Sequence, residues 1–149
     1  TMARLFELKN IAGVKDATGD PNRIDATLKK LGPDFIQLTG EDGFALEFNR
    51  RGGVGIISVT ANIAPKLCSD FQKYSKSKTD NEIKEAERID QILQPIHKSL
   101  FIESNPAPVK YAAKLLGLCG DEIRLPLVKI KKETEDQVKK ALLSAKLLS

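Results

Sequence analysis

Two rhythms of apolar and polar positions divide this chain, and the change falls near residue 80. In the first part, short apolar runs alternate with stretches in which apolar residues recur every three or four positions, the mark of strands alternating with amphipathic helices. The runs are Ile11 to Val14, Phe35 to Thr39 and Val54 to Val59, and each is read as a strand. Residues Glu7 to Asn10 read as the tail of a helix or a loop entering the first of them. The first helix is predicted from about Pro21 to Leu31, with Asp20 as the N-cap acceptor, Pro21 at its first position and Gly32 as its stop. Its inward face is Ile24, Leu28 and Leu31. A short second helix spans Phe44 to Arg51, stopped by Gly52-Gly53. The third opens at Pro65 and carries Leu67, Cys68, Phe71 and Tyr74 as its apolar stripe. Strand-helix units about 20 residues apart are the spacing of a parallel barrel or a doubly wound sheet.

From Asp80 onward only the helical rhythm remains. Ile83, Ala86, Ile89, Leu93 and Ile96 form one stripe on a long helix that Pro95 is expected to bend. Glu103 to Pro108 reads as a loop stiffened by two prolines, followed by a helix with Val109, Ala112, Ala113 and Leu116 inward and Gly117 near its stop. Arg124 to Leu127 reads as extended, and a closing helix runs from about Glu133 to Leu147 with Val138, Leu142 and Ala145 buried. The chain therefore divides into an α/β part, 1–78, and a helical part, 79–149.

Composition narrows the class. At 149 residues, with 41% hydrophobic and 30% charged, the chain is long enough for one globular core beneath a solvated surface. No apolar run approaches the roughly 20 residues of a membrane span, and Thr1-Met2-Ala3-Arg4 does not open a signal peptide. With Cys68 and Cys119 spaced for neither a metal site nor a disulfide framework, a cytoplasmic protein with reduced thiols is expected. The net charge of +4 is spread along helices, and Lys129-Ile130-Lys131-Lys132 is followed at once by Glu133 and Asp136. With 5% aromatics and no Trp there is little to stack on bases, so neither a nucleic-acid nor a membrane partner is expected.

Ligands of parallel α/β proteins sit at the carboxyl ends of the strands. Lys15, Thr39 to Asp42 and Ser58 to Asn62 all fall there. Lys15 is the candidate nucleophile, placed where an apolar run gives way to Gly/Asp turn chemistry. An amine attacks a carbonyl only when neutral, and a lysine with a solution pKa near 10.4 needs desolvation or nearby cations for that. A lysine closing a strand is otherwise an ordinary solvated charge. Glu41 and Asp42 could serve proton transfer or bind a cation, but acids at a helix start more often complement its dipole, which is the favoured reading. Gly52-Gly53-Val54-Gly55 lacks the spacing of a phosphate loop and reads as a tight turn. His97, the only histidine, has no Ser or Cys partner in view and reads as structural.

Four segments carry a resemblance: Gly13-Val14-Lys15-Asp16-Ala17-Thr18-Gly19, Thr39-Gly40-Glu41-Asp42, Gly55-Ile56-Ile57-Ser58-Val59-Thr60-Ala61-Asn62 and Glu103-Ser104-Asn105-Pro106-Ala107-Pro108-Val109-Lys110. Together they resemble the dihydrodipicolinate synthase family, Schiff-base (class I) aldolases of bacterial lysine biosynthesis. The first segment also suits a related lyase of N-acetylneuraminate, but the third and fourth are closer to the synthases. The resemblance implies the last three βα units of a TIM (β/α)8 barrel followed by a C-terminal helical appendix, the second half of the family's fold. It implies an imine between Lys15 and pyruvate, with Gly40 and Ile57 as walls of the pyruvate pocket and aspartate semialdehyde as the second substrate. It implies no metal and no bound cofactor, because the protonated imine is itself the electron sink, and a homo-oligomer for the intact enzyme. The family's proton-relay tyrosine and threonine and its carboxylate clamps fall on strands this chain lacks; Tyr74 and Tyr111 do not match them. A non-catalytic remnant of such an enzyme is the alternative from a different class.

Overall fold

The computed structural model describes residues 1–149. In chain order the elements are α1 (Met2–Phe6), β1 (Gly13–Asp16), α2 (Pro21–Leu31), β2 (Ile36–Thr39), α3 (Ala45–Arg50), β3 (Gly55–Ile56), α4 (Pro65–Tyr74), α5 (Asp80–Ser99), α6 (Ala107–Leu115) and α7 (Lys132–Ser144). Single 3-10 turns, Asp42–Phe44 and Thr60–Asn62, follow β2 and β3. The three strands are parallel in the order β1-β2-β3, with Lys15 beside Leu38 and Thr39 beside Ile56. This is the three-strand α/β arrangement expected from the apolar runs.

Local chemistry explains most boundaries. Asp20 caps α2 by accepting from the Asn22 N–H, Pro21 occupies the first helical position, and Gly32 at φ 80° ends it. Gly117, at φ 71°, ends α6 with Leu118 N–H donating to the Ala113 carbonyl and Gly117 N–H to that of Lys114, the paired bonds of a Schellman stop. Helix α5 runs unbroken through Pro95 for 20 residues, its stripe at Ala86, Ile89, Leu93 and Ile96 buried as the periodicity requires.

The first strand is shifted by two residues, Gly13–Asp16 rather than Ile11 to Val14, so Lys15 lies within it, and three further boundaries differ from the sequence expectation. The third strand is two residues long rather than six, because Ser58 and Val59 leave the sheet to bond the Asp42 side chain and Val59 turns helical at φ −77°, ψ −43°. The closing helix ends at Ser144: Lys146 adopts φ 56°, and its N–H and that of Leu147 return to the Leu143 and Leu142 carbonyls, a Schellman stop without glycine. Arg124 to Leu127 is a turn, closed by Leu127 N–H on the Arg124 carbonyl.

One apolar cluster runs through the molecule, from Ala45, Ile63, Cys68 and Phe71 to Ile89, Leu93, Ile96 and Leu100 and on to Ala112, Val138 and Leu142. The sheet meets this helical layer on one face only. Gln37 and Thr39 are buried on that face, and Gln37 Nε2 donates to the Ile24 carbonyl of α2 at 3.4 Å. The parallel register puts Gly13, Lys15, Ile36, Leu38, Gly55 and Ile57 on the opposite face. There Ile36 is 43% and Ile57 50% exposed, and Lys15 is exposed on the same face. Parallel sheets are ordinarily covered on both faces, so this open apolar face is unusual.

Candidate active site

Two close approaches shape β1, one at its amino end and one at its carboxyl end. A Cβ at Gly13 would lie 2.0 Å from the Ile36 carbonyl oxygen, so only glycine lets β1 settle against β2 there. A Cβ at Gly40 would lie 2.5 Å from Lys15 Cε, 3.0 Å from Ala17 Cβ and 3.5 Å from Lys15 Nζ. The lysine side chain therefore lies directly over the bare backbone of Gly40, whose N–H donates to the Asp16 carbonyl at 2.7 Å. Lys15 makes no salt bridge, and its amine stands on the open face of the sheet.

Next to Lys15 the chain turns sharply on Asp16, whose side chain points to the helical face. It accepts from Thr18 N–H at 2.8 Å, Thr18 Oγ1 at 2.6 Å and Arg23 Nε at 2.6 Å, the last tying the turn to the first coil of α2. Partial burial works against ionisation of Asp16, but the Thr18 and Arg23 hydrogen bonds outweigh it and hold the carboxyl below its ordinary 3.8. The turn that follows the lysine is thus fixed by charge rather than by packing.

After β2, Thr39 Oγ1 accepts from Glu41 N–H at 3.0 Å, and the chain enters the 3-10 turn with Asp42 only 2% exposed. This corrects the sequence expectation of a helix-start acid that merely complements a dipole. Ser58 Oγ donates to Asp42 Oδ1, and Val59 N–H donates to Asp42 Oδ2 at 2.9 Å. His97 is 7% exposed, with Nδ1 2.7 Å from Thr60 Oγ1 and 3.9 Å from Asp42 Oδ1. Burial, the larger influence, holds His97 below its ordinary 6.5, opposed by the neighbouring Asp42 and Asp90 acids. Cys68 shares this pocket of groups: burial, reinforced by Asp42, pushes its thiol up to about 11.

Of the residues singled out from sequence, Gly40 touches Lys15 directly. Ile57 stands on the same face at the end of β3, its N–H donating to the Thr39 carbonyl at 2.9 Å. Because Lys15 aligns with Leu38 and Gly55, the Ile57 backbone lies two strand spacings across and two residues further along, roughly 12 Å from that of Lys15. His97 is enclosed in the helical layer, as a structural histidine should be, and takes Thr60 as its partner. From sequence, Asp42 is weighed only for proton transfer, cation binding or a helix dipole, and Thr60 stands at a strand end without a specific role. The available signal was positional: both follow strand ends, which a parallel sheet brings side by side.

The chain has known relatives. Residues 1–145 match the model of the dihydrodipicolinate synthetase family. The 4-hydroxy-tetrahydrodipicolinate synthase of Pelagibacter ubique is 71% identical over 148 residues, which are 99% of this chain and 50% of that protein. A crystal structure of dihydrodipicolinate synthase from Acinetobacter baumannii, complexed with pyruvate, superposes with a TM-score of 0.90 at 38% identity, covering 97% of this chain and 49% of the other. The 4-hydroxy-tetrahydrodipicolinate synthase of Methylacidiphilum fumariolicum gives a TM-score of 0.91 at 34% identity over 97% of this chain and 48% of its own. The chain thus spans about half the length of the curated relatives it matches, and its three parallel strands and helices correspond to part of their fold.

Proposed function

The chain belongs to the dihydrodipicolinate synthetase family, and from that premise we propose that it supplies the nucleophile of a Schiff-base aldolase that condenses pyruvate with aspartate semialdehyde. In this reading residues 1–78 are the last three βα units of a (β/α)8 barrel and residues 79–149 the helical appendix packed on them. The open face of the sheet is then the inner wall of the barrel, and Lys15 stands on it. The observation that carries the proposal is the juxtaposition of the Lys15 side chain with Gly40, where a Cβ would sit 2.5 Å from Lys15 Cε. A glycine there leaves the lysine, and a small keto acid beside it, room against the backbone.

The chemistry follows from the residue. Lys15 Nζ attacks C2 of pyruvate, and the carbinolamine loses water to give an imine. Once protonated, the imine draws electrons from C3, which loses a proton and becomes an enamine nucleophile. C3 then bonds to the aldehyde carbon of aspartate semialdehyde, whose oxygen takes up a proton. The amino group of the condensed aspartate semialdehyde then attacks C2 of the protonated imine, a proton passes from that nitrogen to Lys15 Nζ, and the lysine amine leaves as the C2–Nζ bond breaks. Covering the face that carries Ile36, Leu38 and Ile57 excludes water from around the Lys15 amine and its imine. Gly40 and Ile57 are walls of this pocket. Groups that relay the protons and clamp the substrate carboxylates are assigned, by family resemblance, to strands beyond the three described.

Borohydride reduction in the presence of pyruvate, followed by peptide mapping, tests the assignment. The adduct is expected on the peptide containing Lys15 and absent from Lys15→Ala. An adduct on another lysine, with Lys15 unmodified, would contradict the proposal.

A further inference from the structure

Asp42 is the only buried acid in the chain, and both of its oxygens are engaged by the segment that leaves β3. Ser58 Oγ donates to Oδ1, Val59 N–H donates to Oδ2 at 2.9 Å, and Ser58 Oγ in turn accepts from Ala61 N–H at 2.9 Å. Thr60 is held from the other side, its Oγ1 2.7 Å from His97 Nδ1. Three consecutive residues, Ser58 to Thr60, are therefore fastened by buried polar groups from two different elements. The residue immediately before them is Ile57.

The sheet itself does little to hold Ile57. Regular pairing of β3 ends at Ile56, the outer edge of β3 has no neighbour, and beyond it only the Ile57 N–H bond to the Thr39 carbonyl remains. An edge strand of two residues frays unless something past its end is anchored. Asp42 supplies that anchor, and it lies two residues after Gly40, the neighbouring wall of the pocket at the end of β2. One side chain thus joins the end of β2 to the end of β3 from beneath, on the helical side, while both pocket walls face the other way. A charged acceptor receiving two donors in a dry setting is the strong form of such a link.

We infer that Asp42 is a positioning residue: through Ser58 and Val59 it fixes the Ile57 wall beside Gly40 and so sets the shape of the pyruvate pocket. This rests on the Lys15 proposal for its functional consequence, but the mechanical part stands on the contacts alone. His97, through Thr60, braces the same segment without touching the pocket.

The test compares the full 149-residue chain with Asp42→Ala and with Asp42→Asn, whose single acceptor oxygen retains the Val59 bond. Amide hydrogen exchange is read at Val59, Val138 and Leu142, together with the Ile57 methyl resonance. In Asp42→Ala, exchange at Val59 is expected to rise at least tenfold and the Ile57 methyl to shift, while Val138 and Leu142 stay within twofold of the parent. Asp42→Asn should recover most of the protection, and if the alanine variant does not fold, Asp42→Asn decides by showing a smaller change of the same local kind. Equal acceleration at all three amides, or none at Val59, would overturn the inference. In a second arm, the pyruvate concentration for half-maximal borohydride trapping should rise at least fivefold in the variant, with the limiting trapping rate within twofold. An unchanged half-saturation would overturn the pocket role. A parent chain that is never trapped at Lys15 would count against the Lys15 proposal instead, and the exchange comparison alone would then decide the anchor.

Discussion

Alanine at position 40 would place its methyl carbon 2.5 Å from Lys15 Cε, and the cheapest escape is for the flexible lysine arm to swing away. Only the contact with Ala17 Cβ, at 3.0 Å, presses on a less mobile neighbour. Gly40→Ala should therefore leave the melting temperature within a few degrees, a change of about 1 kcal/mol, while slowing borohydride trapping of pyruvate at least tenfold. A variant trapped at the parent rate would show that Gly40 does not shape the lysine's position. His97 gives a second residue-scale expectation. Its folded pKa lies below 6.5, so between that value and its unfolded one the unfolded chain binds more protons. Its contribution is intact above pH 6.5 and is lost as pH falls through the folded value. Urea midpoints should therefore drop on acidification below 6.5, and His97→Gln should flatten that part of the profile; an equal slope in both proteins would contradict it. Lys15 was legible in sequence because a lone lysine ends an apolar run ahead of a turn. Asp42 was not, since its burial depends on a segment 16 residues further on folding back over it.

Helix α5 shows what sequence periodicity conveys well at the scale of elements. Its stripe predicted the buried Ala86, Ile89, Leu93 and Ile96, though Ile83 is only partly buried, and Leu93, 1% exposed, sits in the middle of the shared core. Leu93→Ala should cost about 2 to 5 kcal/mol by denaturant unfolding, whereas Leu125→Ala, on a side chain 86% exposed, should cost under about 0.5 kcal/mol. Similar losses for the two would mean the core is misplaced. Strand β3 and the end of α7 show what periodicity misses. Val54 to Val59 is an uninterrupted β-branched and apolar run apart from Gly55 and Ser58, yet a polar bond to Asp42 ends the strand early. The stop of α7 rests on Lys146 in the left-handed region, for which no glycine or asparagine gives a warning.

At the scale of the whole molecule, the three strands leave two free edges and one uncovered face, with Ile36 and Ile57 about half exposed beside Lys15. A closed parallel barrel takes eight strands. Exposed strand edges and apolar faces recruit other chains, so the 149-residue protein alone should sediment as self-associated species rather than a single compact monomer. Its catalysis should fail for a separate reason: imine formation at Lys15 is only the first step, and the open face supplies nothing to orient a second substrate or relay its protons. The most direct measurement is steady-state consumption of pyruvate and aspartate semialdehyde by the purified chain, with Lys15→Ala as background. No turnover above that background is the predicted result. Turnover on the order of 1 per second or faster, the range of ordinary enzymes, from a compact monomer would contradict the account of Lys15 as the nucleophile of an incomplete site.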